Sequence, residues 1–395
     1  MVKAKRNINR LSVIISAAIL LYLSQPYYFW SPTLQSLYVR IFLVFILGGF
    51  VYVNRKKFEN IDSLLLLFFL FTGVLYWVTS GNNIYYFVAY LPVVLIPFAN
   101  KDYFRTVFDM FLKIYCALIS LALVSWVLAM IGAIGPYKTI PPLNDLKLGS
   151  YYVFPFMVSE HNPVQRFFGM YDEPGVVGTI SALMLCINNF DIKKKTTWIL
   201  LVSGLCSQSL FFYVIFVIYA LGYSMTVSKR IGTKILWVAV IGLGVLAVTR
   251  IPALQESIGE RLEWDDSRGG FVGDNRIDPR TVDLYLSQMQ GNSSLWWGIK
   301  DKSSFWEETA GASSIWMFII VNGVVFISLY VLFFLGYSIS RSKNVWTVLL
   351  FMCVFIGTIY QRPSIFNALY VFLFCCLASQ INSNTLFAKN KITES

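Results

Sequence analysis

Long apolar runs recur from one end of this chain to the other, and short basic gaps separate them. About 20 apolar residues cross the hydrocarbon core of a bilayer as a helix, and only helices and closed barrels satisfy every backbone group there. Because the runs are continuous rather than alternating, they indicate helices and not barrel strands. Hydrophobic residues make up 57% of the 395 residues, and charged residues only 13%. The sequence therefore predicts an all-α, polytopic integral membrane protein.

Basic residues give the chain a formal net charge of +11, and most of them occupy the gaps between apolar runs. Lysine and arginine concentrate in cytoplasmic loops, so membrane topology explains this charge and no nucleic-acid partner is expected. A basic segment precedes the first run, and no small-residue cleavage site follows it. We expect an uncleaved first span, membrane lipids as partners, and both termini in the cytoplasm.

The runs predict about 12 transmembrane helices and two large extracytoplasmic loops that contain short helices. The first span is expected over residues 11–30 and the fifth over residues 107–134. The whole division places helices 1–5 in residues 1–135, the first loop in residues 136–173, helices 6–9 in residues 174–249, the second loop in residues 250–312 with a helix near 279–290, helices 10–12 in residues 313–380, and a cytoplasmic tail in residues 381–395.

One apolar stretch, residues 198–228, is too long for one straight span and short for two. Basic residues flank it on both sides. The chain must therefore cross the membrane an even number of times here. Two short helices hinged near Ser207, Gln208 and Ser209 are the favoured interpretation, and a re-entrant pair is the alternative.

A polar segment at the end of the first loop leads directly into the sixth helix. Pro174 suits the first helical position, which puts Asp172 or Glu173 at or near the N-cap. That carboxylate can cap the helix, act as a base for a sugar hydroxyl, or do both. Arg166 beside a helix N-terminus forms a candidate anion site. His161, the only histidine, is a candidate base because histidine titrates near neutrality, with a solvated loop histidine as the alternative.

The second loop contains the signature of a helix, with Asp278 as N-cap, Pro279 as the first residue and Gly291 as the stop. An apolar face on this helix is expected to pack on the membrane domain. Arg280 in the first turn opposes the helix dipole, which indicates either a bound anion or a surface ion pair. The paired Trp296 and Trp297 that follow are either membrane-interface anchors or a platform for a sugar ring.

Two further arginines lie near the outer ends of spans, where a charge is costly unless it is paired or faces water. Arg40 near the outer end of the second span is a candidate to line an outward cavity; for Arg362, beyond the eleventh, snorkelling to the interface is favoured. The sequence has no Gly-Lys-Ser/Thr phosphate loop and no His/Cys cluster. An ATPase, a metal site and a cofactor are therefore not expected.

Several of these motifs resemble the bacterial O-antigen and capsular polysaccharide polymerases of the Wzy type, which are related to the O-antigen ligases. Ligases tend to carry a histidine in the second large loop, and its absence here favours a polymerase. The similar elements are Arg166-Phe167-Phe168-Gly169-Met170-Tyr171-Asp172-Glu173-Pro174-Gly175 at a helix entry, the Arg-x10-Gly spacing from Arg280 to Gly291, Leu295-Trp296-Trp297-Gly298-Ile299 before the next span, and Asn322-Gly323-Val324-Val325 within it.

The resemblance implies a glycosyltransferase that joins undecaprenyl-pyrophosphate-linked repeat units at the outer face of the cytoplasmic membrane, in O-antigen or capsule synthesis. It leaves open a chain-length regulator and a flippase as protein partners. An O-antigen ligase-like transferase and a lipid-linked glycan flippase or secondary transporter are the alternatives. The candidate residues are Glu173, Asp172 and His161 for catalysis, Arg166, Arg280, Arg276 and Arg40 for pyrophosphate binding, and Trp296, Trp297 and Tyr171 for glycan binding.

Overall fold

The computed structural model describes most of the apolar part of the chain. The described residues are 9–55, 60–79, 84–142, 150–154, 156–159, 166–226, 250, 255, 259–260, 263–266, 270–272, 279–299, 305, 314–342, 344–362 and 367–381.

The described part of the chain is mostly helical, as the sequence predicts. Its thirteen α-helices are α1 (Arg10–Leu23), α2 (Leu37–Val53), α3 (Asn60–Thr79), α4 (Ile84–Leu95), α5 (Lys101–Met130), α6 (Pro174–Ile187), α7 (Lys195–Cys206), α8 (Leu210–Thr226), α9 (Pro279–Met289), α10 (Ser294–Trp297), α11 (Ile315–Arg341), α12 (Val345–Gln361) and α13 (Ala368–Ile381). Short 3-10 helices lie at Tyr27–Phe29 and Ile96–Phe98.

Three described helices are long and apolar enough to cross a membrane, and they are α3, α5 and α11. Several others are equally apolar but have only 12 to 17 residues, including α2, α7 and α12. Apolar helices of this number support a membrane protein. The predicted ninth span, near residues 235–248, lies outside the described residues.

Successive long helices are antiparallel, so the helix termini cluster at two opposite ends of the bundle. At one end the Asn367 side chain donates a hydrogen bond to the carbonyl of Leu23, 2.9 Å away, close to the start of α6. We call this the Glu173 end. At the opposite end of the bundle, Asp62 at the start of α3 forms an ion pair with Arg341 at the end of α11. We call this the Arg341 end.

Aromatic rings fill the core between these ends. Phe69 of α3 stacks on Phe333 of α11 with ring centroids 4.0 Å apart, and Phe334 meets Phe374 of α13 edge-on at 5.5 Å. Offset and edge-on aromatic pairs add about 0.5–1.5 kcal/mol each beyond the burial of their area. These ring contacts hold α3, α11 and α13 together in the centre of the bundle, between its two ends.

Two predicted boundaries are wrong. The first helix ends at Leu23 rather than near residue 30, because Gln25 adopts a left-handed backbone conformation with φ 61° and Pro26 follows it. The fifth helix begins at Lys101 rather than near residue 107, because the Asn100 side chain accepts a hydrogen bond from the amide of Asp102 and caps the helix. Charged residues then extend α5 beyond its apolar part.

The hinge predicted within residues 198–228 is confirmed. Helix α7 ends at Cys206, α8 begins at Leu210, and Gln208 between them has a φ of 49°. A Cβ added at Gly178 of α6 would lie 2.3 Å from the Cβ of Ser209. The turn therefore packs directly on the first two turns of α6, at the Glu173 end.

The described part of the first loop contains strands where short helices were expected, which corrects the all-α prediction locally. Strands β1 (Lys138–Ile140), β2 (Tyr151–Val153) and β3 (Met157–Ser159) form an antiparallel sheet in the order β1-β2-β3. β-Branched and aromatic residues favour this conformation. The sheet packs on the end of α5 through Phe154, Val158 and Ala129.

The second loop holds the predicted helix α9, and Gly291 beyond it has the left-handed φ of 78° that a helix stop requires. Met289 on its apolar face packs with Met317 and Ile320 of α11, which confirms the predicted docking on the membrane domain. A short two-stranded ladder, β4 (Trp264–Asp265) and β5 (Gly270–Phe271), lies earlier in the same loop.

Candidate active site

The centre of the candidate site is an ion pair between Glu173 and Arg362. Glu173 is the N-cap residue of α6 and Pro174 is its first helical residue, as predicted, but the Glu173 side chain makes no capping hydrogen bond. Its Oε2 lies instead 2.5 Å from Nη2 of Arg362, which follows the last residue of α12. The Glu173 side chain is 35% exposed and the Arg362 side chain 13%. The carboxylate is therefore held in place and still reachable from outside.

The surroundings of Arg362 keep its guanidinium charged. Burial lowers the pKa of Arg362, but Glu173, Tyr370 and Asp172 favour the cation, and the pKa is raised overall above its ordinary value. Its Nε is buried and has no hydrogen-bond partner among the described residues. A buried donor of this kind normally has an acceptor, which a bound oxygen would supply.

The start of α6 is fixed to the end of α1. The hydroxyl of Tyr171 lies 2.9 Å from that of Ser24, and the amide of Tyr27 donates to the carbonyl of Met170 at 2.9 Å. Tyr171 is 1% exposed, and burial raises its pKa well above the ordinary value. Its ring therefore faces the core, a position that suits support of the loop better than the predicted contact with a glycan.

Arg166 joins the first loop to the turn between α7 and α8. Its Nε donates to the carbonyl of Ser207 at 3.3 Å and its Nη2 to that of Gln208 at 3.2 Å. The amide of Phe167 next to it donates to the carbonyl of Cys206 at 3.0 Å. These contacts place Arg166 at the Glu173 end, with part of its guanidinium engaged by the backbone. Binding of pyrophosphate by Arg166 remains a prediction.

Arg40 also lies at the Glu173 end, in the first turn of α2. Its Nη2 donates to Oε1 of Gln35, whose Nε2 donates to the carbonyl of Phe29 at 2.7 Å. Tyr22 of α1 donates to the carbonyl of Leu34 in the same turn. Arg40 therefore closes the connection between α1 and α2, and its predicted contact with pyrophosphate is likewise untested.

A group of aromatic side chains lies at the Glu173 end, where the amide of Tyr27 donates to the carbonyl of Met170, and sequence analysis did not identify it. The rings of Tyr27 and Tyr28 lie 4.2 Å apart, and the Tyr27 hydroxyl is hydrogen-bonded to those of Tyr28 and Tyr137. Burial raises the pKa of Tyr28 to about 12, so it stays a neutral hydrogen-bond donor at physiological pH. Tyr28 and Tyr137 are exposed. We call Tyr27, Tyr28 and Tyr137 the tyrosine group.

Trp296 and Trp297 form the exposed short helix α10 at the entry to α11. The next residue, Gly298, contacts the backbone of α11 where that helix breaks at Gly323, which has a φ of 83°. A Cβ added at Gly298 would lie 2.2 Å from the carbonyl oxygen of Val321. The two tryptophans are thus held on a rigid backbone, and both predicted roles for them remain open.

Three predicted site residues lie wholly or partly outside the described residues. They are His161, Arg276 and the side chain of Arg280, whose backbone forms the second residue of α9. The described site therefore brings together Glu173, Asp172 and, at the same end, Arg166 and Arg40. Sequence analysis missed the pairing of Arg362, although the cost of an unpaired arginine near the membrane was a usable signal.

The chain matches no protein-family model, no curated protein and no solved structure. The interpretation of the site therefore depends on its own geometry. A carboxylate that is fixed by a cation and open on one side can accept a proton from a hydroxyl. Exposed tyrosines at the same end of the bundle can stack on and hydrogen-bond a sugar.

Proposed function

We propose that this protein is a membrane glycosyltransferase of the polysaccharide polymerase type. It joins repeat units linked to undecaprenyl pyrophosphate, at the outer face of the cytoplasmic membrane, in O-antigen or capsule synthesis. Glu173 removes the proton from a hydroxyl of the acceptor glycan, and the freed oxygen attacks the anomeric carbon of the donor. The bond from that carbon to the pyrophosphate oxygen breaks, and the pyrophosphate leaves with the electron pair on its lipid.

The observation that carries this proposal is that Arg362, rather than the amides at the start of α6, engages the Glu173 carboxylate. The side-chain oxygen of an N-cap residue normally accepts a hydrogen bond from a backbone amide in the first turn of its own helix. Glu173 makes no such bond and is held by Arg362 at 2.5 Å instead. A general base must also be within reach of the hydroxyl, and the Glu173 side chain is 35% exposed while its Oε2 contacts Arg362.

The tyrosine group and the arginines supply the remaining functions. Exposed Tyr28 and Tyr137 offer a surface for the glycan at the same end as the base. Arg166 and Arg40, with Arg276 and Arg280 from the second loop, are the proposed cations for the leaving pyrophosphate. Fixed positive charge at a leaving group stabilises the charge that develops in the transition state.

The distribution of basic residues supports an outward position for this site. At the opposite end lie Arg10, Arg55, Lys101 and Lys193–Lys195, together with Arg341. Lysine and arginine favour the cytoplasmic side, so the Arg341 end is assigned to the cytoplasm and the Glu173 end to the outside.

A lipid-linked glycan flippase or secondary transporter is the second candidate, and the break in α11 favours it. Transporters commonly use interrupted helices, whose free backbone groups bind the substrate near the middle of the membrane. The break at Gly323, however, is filled by the backbone of Trp296–Gly298 rather than left open. This packing favours the enzyme.

Reconstitution tests the proposal directly. The purified protein is placed in vesicles with lipid-linked repeat units extracted from cells that lack it, and glycan length is measured by mass spectrometry. We expect longer glycans and one released undecaprenyl pyrophosphate for each new bond. The Glu173→Gln variant, at equal folded amount, is the inactive control. If repeat units cross the vesicle membrane but the glycans do not become longer, the result would contradict the glycosyltransferase and support the transporter.

A further inference from the structure

A cavity outside the candidate active site lies at the Arg341 end of the bundle. It has a volume of about 260 Å³ and opens between the start of α5 and the ends of α11 and α13. Pockets for drug-sized ligands span about 300–1,000 Å³. A cavity just below that range suits a compact polar group rather than an oligosaccharide. We call it the Arg341 cavity.

Two cations line the cavity. Arg341 is the last residue of α11 and Lys101 the first residue of α5, and both contribute to its wall. The carboxylate that accompanies Arg341 is Asp62, whose Oδ1 lies 3.5 Å from Nη2 of Arg341. Asp62 is 1% exposed whereas the Arg341 side chain is 24% exposed. A ligand in the cavity therefore meets positive charge, with the negative charge buried behind it.

The rest of the lining matches a phosphate ester. Tyr337, Ser379 and Asn100 provide hydroxyl and amide groups, which can donate hydrogen bonds to phosphate oxygens. The guanidinium of Arg341 lies 5.0 Å from the centre of the Tyr337 ring, which holds it toward the cavity. Phe104 adds an apolar side for the carbon skeleton next to a phosphate.

We propose that the Arg341 cavity binds a phosphate group, either the headgroup phosphate of an anionic phospholipid or that of a soluble phosphate ester. Arg341 and Lys101 neutralise the charge, and the hydroxyl and amide groups hold the remaining oxygens. The site is independent of the proposed glycosyl transfer, because it lies at the other end of the bundle and shares no residue with it.

The proposal is tested by measuring how phosphate-bearing ligands bind to the delipidated, purified protein in detergent. The probes are short-chain phosphatidylglycerol, short-chain phosphatidylcholine, glycerol 3-phosphate and inorganic phosphate, and bound ligand is counted by native mass spectrometry. Preference for phosphatidylglycerol over all others identifies a lipid source. Equal binding of glycerol 3-phosphate or inorganic phosphate identifies a soluble source. Failure of every phosphate-bearing probe to bind overturns the proposal.

Three variants locate the binding. Lys101→Gln removes one cation, and the pair Asp62→Asn with Arg341→Gln removes the second cation together with the charge of the carboxylate beside it. Each cation near an anionic lipid surface contributes about fivefold to affinity, so we expect about a fivefold loss of affinity from each of these two changes. Lys193→Gln is the matched control, because Lys193 lies exposed at the same end and does not line the cavity. Unchanged affinity in both cavity variants, or an equal loss in the Lys193→Gln control, would show that the phosphate does not bind in the Arg341 cavity.

Discussion

The two ends of the bundle carry two ion pairs built on the same plan. At each end an arginine at the C-terminus of one helix meets a carboxylate at the N-terminus of another: Arg362 with Glu173, and Arg341 with Asp62. This arrangement agrees with the helix dipoles, which favour cations at C-termini and anions at N-termini. The shared plan alone gives no reason for the two ends to act differently.

The exposure of the partners is reversed between the two pairs. At the Glu173 end the arginine is the more buried partner, 13% against 35% for the carboxylate. At the Arg341 end the carboxylate is buried, at 1%, and the arginine is 24% exposed. The partner left open decides what each end can contact. A hydroxyl would meet a carboxylate at one end, and an anion would meet a guanidinium at the other.

The largest effect is expected where the open carboxylate is changed. Glu173→Gln keeps the shape of the side chain but cannot accept a proton, and a general base contributes about 100- to 10,000-fold to rate. Turnover in the reconstituted lengthening assay should fall by that range. Asp172→Asn, with the same change of charge one residue away, should cost less than tenfold. Equal losses in both would mean that charge near Arg362 matters and the base does not.

The reversed exposure also predicts unequal stability effects. Arg341→Gln removes the cation that lies 3.5 Å from the buried Asp62, and removing one partner of a buried ion pair costs about 3–5 kcal/mol. Arg362→Gln leaves Glu173, which water can reach, and should cost only about 1–3 kcal/mol. Equilibrium unfolding in mixed micelles compares them. The double change Asp62→Asn with Arg341→Gln should recover most of the stability lost in Arg341→Gln. Equal losses of stability in Arg341→Gln and Arg362→Gln would show that the reversed exposure has no effect on stability.

The next effect concerns how the second loop is fixed to α11. Ala at Gly291 must adopt a left-handed conformation but meets no atom within 4 Å, so Gly291→Ala should cost about 1–2 kcal/mol. An alanine at position 323 must also adopt a left-handed conformation. In addition, its Cβ would lie 2.1 Å from the carbonyl oxygen of Trp296. Gly323→Ala should therefore cost about 1–3 kcal/mol more. Unfolding curves of the two alanine variants give the difference, and equal curves would show that the loop is not held there.

The fold was more accessible from sequence than the site. Apolar runs and basic gaps are local signals, so the helices, the hinge near Gln208 and the docking face around Met289 could be predicted. The strands β1–β3 could not, because their short segments carry no periodic pattern. The capping rule correctly placed Pro174 and Glu173 at the start of α6.

The contacts of the site depended on distant parts of the chain. Glu173 meets Arg362 across 189 positions, and Arg166 reaches the turn at Ser207 and Gln208 across 41 and 42. These pairs form only because α6 and α12 pack on the same neighbours, α8 and α13, and because the α7–α8 turn packs on α6. A sequence pattern shows that a buried arginine needs a partner, but the fold selects which one.

The smallest effect separates two roles of Arg166 at the Glu173 end. Its planar guanidinium reaches two carbonyls with Nε and Nη2, and a lysine cannot reproduce that geometry. Arg166→Lys should lower the free energy of unfolding by about 1–2 kcal/mol through the loss of charge-assisted hydrogen bonds. Because the positive charge remains, turnover per folded molecule should change little. Arg166→Gln removes the charge as well, so a further fall in turnover there, with an increase in KM for the lipid-linked donor, is expected from the proposed contact with pyrophosphate. Identical turnover in the two variants would limit Arg166 to fastening the first loop on the α7–α8 turn.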